Sequence, residues 1–132
     1  LELLGWDLRD ARGRLSDAVP HGHPSHIRIA LRVRQGRGES MGAYCIFLHI
    51  DHTPTRFAAE HRAYVYPMSL WQGGDVIIDD FEVVLPAHFR SGHYALFWGV
   101  GLLPCEDDRR MRVTAGPNDG HERIALGALE VR

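Results

Sequence analysis

Residues 26–35 read HIRIALRVRQ, and apolar and polar side chains alternate along most of this stretch. Branched apolar residues recur at every second position from 27 to 33, and the alternate positions include three arginines. Because successive side chains of a β-strand point to opposite faces, this period of two predicts a strand with one buried and one solvated face. Such a strand is typical of an antiparallel sheet that covers a core on one side.

Strand-like patterns recur along the rest of the chain. They cover residues 1–8, 43–50, 75–85, 93–102, 110–115 and 123–131, and residues 56–60 offer one more short strand. Residues 43–50 are apolar on both faces except at His49, so we expect that strand to be covered on both sides. About seven to nine short strands without a long amphipathic helix predict an all-β fold, an antiparallel β-sandwich of the immunoglobulin-like or jelly-roll-like kind.

Alternation also predicts the core and two irregularities. Asp79 and Asp80 interrupt one apolar run, which suits a strand with a bulge or bend, and Gly127 marks a bulge in the last strand. We interpret this acidic pair, like the clusters at 106–108 and 118–120, as turn chemistry. The residues expected in the core are Ile27, Ile29, Leu31, Val33, Ile46, Leu48, Tyr94, Leu96, Trp98 and Leu126.

Length and composition limit the classes of protein that fit. The chain has 132 residues, of which 45% are hydrophobic and 24% charged, so we expect residues 1–132 to form a single domain. It begins at Leu1 without an initiator methionine, and we interpret it as a piece of a longer protein.

The charges exclude several functions. All 15 basic residues are arginines, which removes Schiff-base chemistry and the phosphate-binding lysine of P-loops. The net charge of −2 and the lack of basic clusters indicate no nucleic-acid partner. The longest apolar run, residues 94–104, is too short to cross a bilayer, so we expect no direct membrane insertion.

Two patterns suggest chemistry, and neither predicts a catalytic centre. Residues 38–42, GESMG, match the G-x-S-x-G elbow of serine hydrolases, but a strand rather than a helix follows. The nine histidines include HGHPSH at 21–26 and HIDH at 49–52, spacings that can share a metal. These two groups need not converge, so we expect structural or exposed histidines, no metal ligands and no cofactor.

Three aromatic residues, Tyr64, Tyr66 and Trp71, lie in or beside the long segment 51–74. Exposed aromatic rings stack on sugar rings or peptides, so these three are the predicted ligand-binding residues. The alternative is that they anchor the segment to the sandwich. Cys45 and Cys105 permit one disulfide, and the sequence leaves their pairing open.

Eight motifs recur in a familiar order along nearly the whole chain: LELLGWDL (1–8), YCIFLHID (44–51), WQGGDVIID (71–79), LP (85–86), SGHYAL (91–96), GVGL (99–102), RRMRV (109–113) and LGALEV (126–131). In this order they resemble a β-sandwich domain appended to bacterial membrane glycosyltransferases of the mannosyltransferase-like type and found in other bacterial envelope proteins. The chain is also similar to the carbohydrate-binding end of polysaccharide ABC transporter ATPases, where G-x-Y-x-L precedes a late strand.

The resemblance implies a non-catalytic, extracytoplasmic accessory module of the periplasm or cell envelope. We therefore expect a binding module that recognises a glycan, an envelope partner or a neighbouring domain of the parent protein. A purely structural spacer is the first alternative. A small metal-dependent β-barrel enzyme that uses the histidines is the second.

Overall fold

The computed structural model describes residues 1–34, 44–61, 70–102 and 120–132. These residues form seven strands: β1 Glu2–Asp10, β2 Ser25–Arg32, β3 Tyr44–His52, β4 Thr55–His61, β5 Val76–Val83, β6 Gly92–Leu102 and β7 Ile124–Val131. One sheet has three strands in the order β1-β2-β5, and the other has four in the order β4-β3-β6-β7. Every pairing within them is antiparallel, and the fold is the predicted β-sandwich.

The core lies between the inner faces of the two sheets. Along β2 the residues Ile27, Ile29 and Leu31 are fully buried, while Arg28 and Arg32 on the opposite face are exposed. β3 lies inside the four-stranded sheet between β4 and β6 and is buried on both faces, as its composition predicts. No helix in the described part of the chain is long and apolar enough to cross a membrane.

The predicted core is confirmed except at Leu126, which is only partly buried. The register of β6 and β7 shifts between the pairs Leu96–Gly127 and Phe97–Ala125. Leu126 is therefore the extra residue of a bulge on an edge strand, which confirms the bulge expected at Gly127.

The bend expected at Asp79 and Asp80 is wrong, and so is their interpretation as a turn. β5 pairs with β2 in unbroken register from Val76 to Val83, so both acids lie inside a strand. Asp79 is 7% exposed and faces the core, where Trp98 Nε1 donates a 2.8 Å hydrogen bond to its Oδ2. The indole donor compensates the buried carboxylate and allows a continuous strand.

Tyr94, at the start of β6, fixes the connection that enters this strand from β5. Its hydroxyl donates a 2.8 Å hydrogen bond to the carbonyl oxygen of Arg90, four residues upstream. The contact is similar to the tyrosine corner of Greek-key sandwiches. It explains why Tyr94 can be buried although it carries a polar group.

Residues 18–22, which we call the strap, link the two sheets. Val19 donates a 2.8 Å backbone hydrogen bond to Glu130 of β7 and accepts one of 2.9 Å from Arg132. Gly22 donates a 3.0 Å bond to Leu85, just after β5. The strap therefore joins an edge strand of the four-stranded sheet to the far edge of the three-stranded sheet.

Several predicted features concern residues outside the described ranges. The short strand at 110–115, the GESMG motif, and the acidic residues at 106–108 and 118–119 all lie there. Cys45 is disulfide-bonded and only 2% exposed. Cys105, the other cysteine of the sequence, lies outside the described ranges.

We expect Asp79→Ala to lower the free energy of unfolding by about 2 to 3 kcal/mol, because it leaves the buried Trp98 N–H without its acceptor. In a Trp98→Phe background the same change should cost less, since no indole N–H remains to be satisfied. A double-mutant cycle measured by urea denaturation checks this coupling. Strictly additive effects would contradict the role of the hydrogen bond.

Candidate functional site

Of the predicted ligand-binding residues, Trp71 lies in the described part of the chain, whereas Tyr64 and Tyr66 lie outside it. Trp71 is 5% exposed and packs within the core cluster. This burial fits the alternative interpretation, in which the ring anchors its segment to the sandwich. The binding roles of the two tyrosines stay predictions.

The histidines whose side chains the structure describes do not gather in one place. His49 points to the outer face of the four-stranded sheet, whereas His52 contacts the ring of Tyr94 at a centroid distance of 5.3 Å. On the other sheet, His26 Nδ1 lies 2.9 Å from Asp80 Oδ1. Among the residues that the structure describes, no three His, Cys, Asp or Glu side chains are grouped to hold a metal ion.

The outer face of the four-stranded sheet carries the most distinctive polar arrangement. Strand register places Arg56, Asp51, Ala95 and Ala128 in one row across all four strands. Residues directly opposite each other in a ladder lie on the same face of a sheet. Arg56 and the two alanines are exposed, so the row forms a shallow track with a charged end.

Asp51 organises this end of the row. Arg56 donates to both of its carboxylate oxygens, with Nε to Oδ1 at 2.8 Å and Nη2 to Oδ2 at 2.9 Å. Arg123, just before β7, donates to the same Oδ2 at 2.9 Å. The Asp51 side chain is 16% exposed and that of Arg123 is 8% exposed, so water screens the pair of Asp51 and Arg123 weakly.

Two further residues, His49 and Phe97, lie beside Arg123. Together these residues form what we call the Asp51 cluster: His49, Asp51, Arg56, Phe97 and Arg123. Arg123 Nη1 lies 3.0 Å from His49 Nδ1. Because arginine only donates, this nitrogen of His49 accepts and carries no proton. The Arg123 guanidinium carbon also lies 4.0 Å from the centre of the Phe97 ring, a cation–π contact.

The pKa of Asp51 lies below its ordinary value of 3.8. Burial is the largest influence and acts to raise the pKa, because it penalises the charged carboxylate. The hydrogen bonds and positive charges of Arg56 and Arg123 outweigh that effect. Asp51 therefore remains ionised and holds both guanidinium groups in fixed orientations.

Beside the cluster, the same face is closed rather than open. Phe47 is 5% exposed, and its ring lies over Gly99, where an added Cβ would overlap it. The Phe47 and His49 rings are 4.8 Å apart. Phe47 therefore forms one wall beside the Asp51 cluster, and the face is accessible towards Arg56, Ala58 and Ala95.

Sequence reasoning missed the Asp51 cluster. The available signal was the alternation in β3, which puts His49 and Asp51 on the face opposite the core. Arg56 follows at hairpin distance, but Arg123 is 72 positions from Asp51. Its place beside them depends on the pairing order of the four-stranded sheet, which the sequence does not display.

Comparison with known proteins supports the fold. The crystal structure of the C-terminal domain of Wzt matches with a TM-score of 0.63 at 13% identity, covering 99% of this chain and 72% of that one. No family model matches the sequence. The L-aspartate oxidase of Yersinia pestis is 30% identical over 76 residues, which are 58% of this chain and 14% of that enzyme. The chain is therefore a β-sandwich domain that spans a small part of that relative's length.

The site suits binding of a polar ligand. Arg56 is 42% exposed, and its guanidinium is oriented by two contacts to Asp51. A guanidinium fixed in this way offers a rigid set of donors, because little side-chain entropy remains to be lost. The small side chains of Ala58 and Ala95 leave room for a ligand to lie flat beside it.

We expect Asp51→Asn to destabilise the protein by about 2 kcal/mol at pH 7, because it removes the charge that two arginines share. Since the folded pKa is lowered, the contribution is complete above pH 4 to 5 and is lost as the pH falls below 3.8 through the folded value. Thermal unfolding of both proteins from pH 7 to 2 measures the difference.

The matched control is Asp7→Asn, which breaks a more exposed pair with Arg9. It should cost less than about 1 kcal/mol. A difference between wild type and Asp51→Asn that stays constant down to pH 2 would contradict the assignment.

Proposed function

We propose that this protein is a non-catalytic accessory module that binds a glycan on the outer face of its four-stranded sheet. One observation carries this function: Asp51 holds the exposed Arg56 guanidinium at the edge of a track of small side chains. Sugar hydroxyls need oriented donors and acceptors beside a flat surface, and this face supplies both.

The sequence resemblance supports the same function. It is a resemblance to envelope-associated sandwich domains and to the carbohydrate-binding ends of polysaccharide transporters, and it covers nearly the whole chain. The likeness to the C-terminal domain of Wzt agrees with it at the level of fold. Attachment to a membrane glycosyltransferase is part of this proposal.

We further propose that the module works outside the cytoplasm, in the periplasm or cell envelope. The disulfide at Cys45 supports this location, because structural disulfides persist in oxidising compartments. Expression in the periplasm and in a reducing cytoplasm, compared by thermal stability, tests it. Equal stability of the reduced protein, with free thiols, and of the disulfide-bonded protein would remove this support.

The glycan is sought on an array of bacterial envelope saccharides and then titrated by calorimetry. Ala95→Leu, which puts bulk on the track, should raise the Kd at least about tenfold, a loss of about 1.4 kcal/mol. Arg56→Gln should weaken binding similarly, because its donors are lost.

Ala30→Leu is the matched control, since Ala30 lies on the outer face of the three-stranded sheet, between arginines of β2. It should leave the Kd within about twofold. Equal effects of the two alanine changes would contradict this face as the site. Absence of binding to every saccharide tested would overturn the function.

A contact with a neighbouring domain is a second candidate, favoured by the outer face of the three-stranded sheet. Ile78 and Val76 on β5 are 59% and 54% exposed, and Leu4 on β1 is 41% exposed. Apolar groups exposed together mark sites of protein contact. Burial of this patch in the longer parent protein would support the role of a spacer.

A further inference from the structure

A cleft of about 360 Å³ opens between the edge strands of the two sheets, β1 and β7. Its walls come from three segments: Trp6 to Leu8, Leu15 to Asp17, and Ala128 to Glu130. The volume lies at the lower end of the range for ligand pockets, which suits one small ligand unit. The residues that line it are separate from the Asp51 cluster.

Backbone and side-chain hydrogen bonds hold the cleft open in a fixed shape. At one end Trp6 Nε1 donates a 2.9 Å bond to the carbonyl oxygen of Leu126 and joins β1 to β7. At the other end Ser16 donates to Leu8 of β1 at 2.9 Å, and Val19 donates to Glu130 of β7 at 2.8 Å. The chain between them crosses from one sheet to the other, so both ends of the seam are closed.

The interior is apolar and the rim is polar. Leu8 and Leu129 are buried at the floor, whereas Leu15 is 70% exposed and Trp6 is partly exposed. At the rim, Arg132 pairs with Glu130 at 3.2 Å and with Asp17 at 3.5 Å. These three side chains are 39 to 83% exposed, so a ligand can reach them.

The chemistry of the rim favours one kind of occupant. A carboxylate has about four acceptor positions, so pairing with one arginine leaves acceptors for hydroxyl groups. The cleft has three carboxylates and only two arginines paired with them, so it disfavours anionic ligands. The carboxylates are those of Asp7, Asp17 and Glu130, and the arginines are Arg9 and Arg132. An apolar floor with acceptors around it matches a sugar ring, which has C–H groups on its face and hydroxyls on its edge.

The cleft is also continuous with the face described above. Ala128 is the last residue of the row that begins at Arg56, and it lines the cleft. The row crosses four strands, a distance of about 15 Å at the usual strand spacing. A saccharide chain lying across the strands therefore passes from Arg56 to the cleft without crossing a large side chain of that row.

We propose that the cleft between β1 and β7 is a subsite for one neutral sugar unit of the glycan bound on the four-stranded sheet. This inference rests on the proposed function and adds to it the class of sugar and a second set of contacts. It predicts a preference for neutral over acidic saccharides.

Trp6 provides a direct readout of the cleft, because Trp71 and Trp98 are 5% and 1% exposed and Trp6 is more accessible. Mannotriose and triacetylchitotriose are the neutral probes, trigalacturonate is the acidic one, and an array-identified ligand is added to the set. We expect a neutral saccharide to reduce acrylamide quenching of tryptophan fluorescence, and trigalacturonate to bind at least about tenfold more weakly.

Two exposed cleft residues are changed, each with a matched control. Leu15→Ser removes an apolar wall and Asp17→Asn removes a rim charge, and each should raise the Kd about five- to tenfold. Val84→Ser and Glu82→Gln make comparable changes at exposed residues near the β5 edge, 43% and 63% exposed, and each should leave the Kd within about twofold. All four proteins should unfold like the wild type, because these side chains are exposed.

The outcomes separate the two proposals. Binding that Ala95→Leu abolishes, while Leu15→Ser, Asp17→Asn and acrylamide quenching show no effect, would overturn the subsite and leave the proposed function intact. Tighter binding of trigalacturonate would overturn the neutral class. Absence of binding to every saccharide would overturn both proposals.

Discussion

The hydrogen bond between Asp79 and Trp98 connects the two sheets through the centre of the sandwich. A buried carboxylate is tolerated only with a partner, and the indole nitrogen supplies it from the opposite sheet. The pair therefore fixes how β5 lies over β6, in a way that the surrounding non-directional apolar contacts do not. The outer faces, where ligands can bind, take their positions from this alignment.

β3 shows how one strand serves both the core and the candidate site. Its inward residues Ile46, Leu48 and Ile50 are 0 to 2% exposed in the core, and its outward residues include Asp51 of the cluster. A shift of one residue in its pairing would exchange these two faces. Burial of the inward residues therefore disfavours a shifted register. The same burial fixes the face of the sheet on which the Asp51 cluster lies.

The sequence predicts most of the fold because alternation is a local signal. It identifies the strands and nine of ten proposed core residues, and Leu126 differs because a bulge places it outside the regular pairing. It misreads Asp79, since acidic residues usually indicate turns and the compensating Trp98 lies 19 positions away. The Asp51 cluster and the cleft depend on which strands become neighbours. Alternation along a single sequence does not predict that strand order.

The strap, in the connection between β1 and β2, is hydrogen-bonded to both sheets as a strand would be to its neighbours. Its amides at Val19 and Gly22 bond to carbonyl groups at the ends of two different sheets. Val19 is also fully buried, so its amide should exchange more slowly with solvent than the amides of an exposed loop. The strap thus fixes the connection between β1 and β2 at residues 18–22. Insertions and deletions in this connection should be tolerated better before or after the strap than within it.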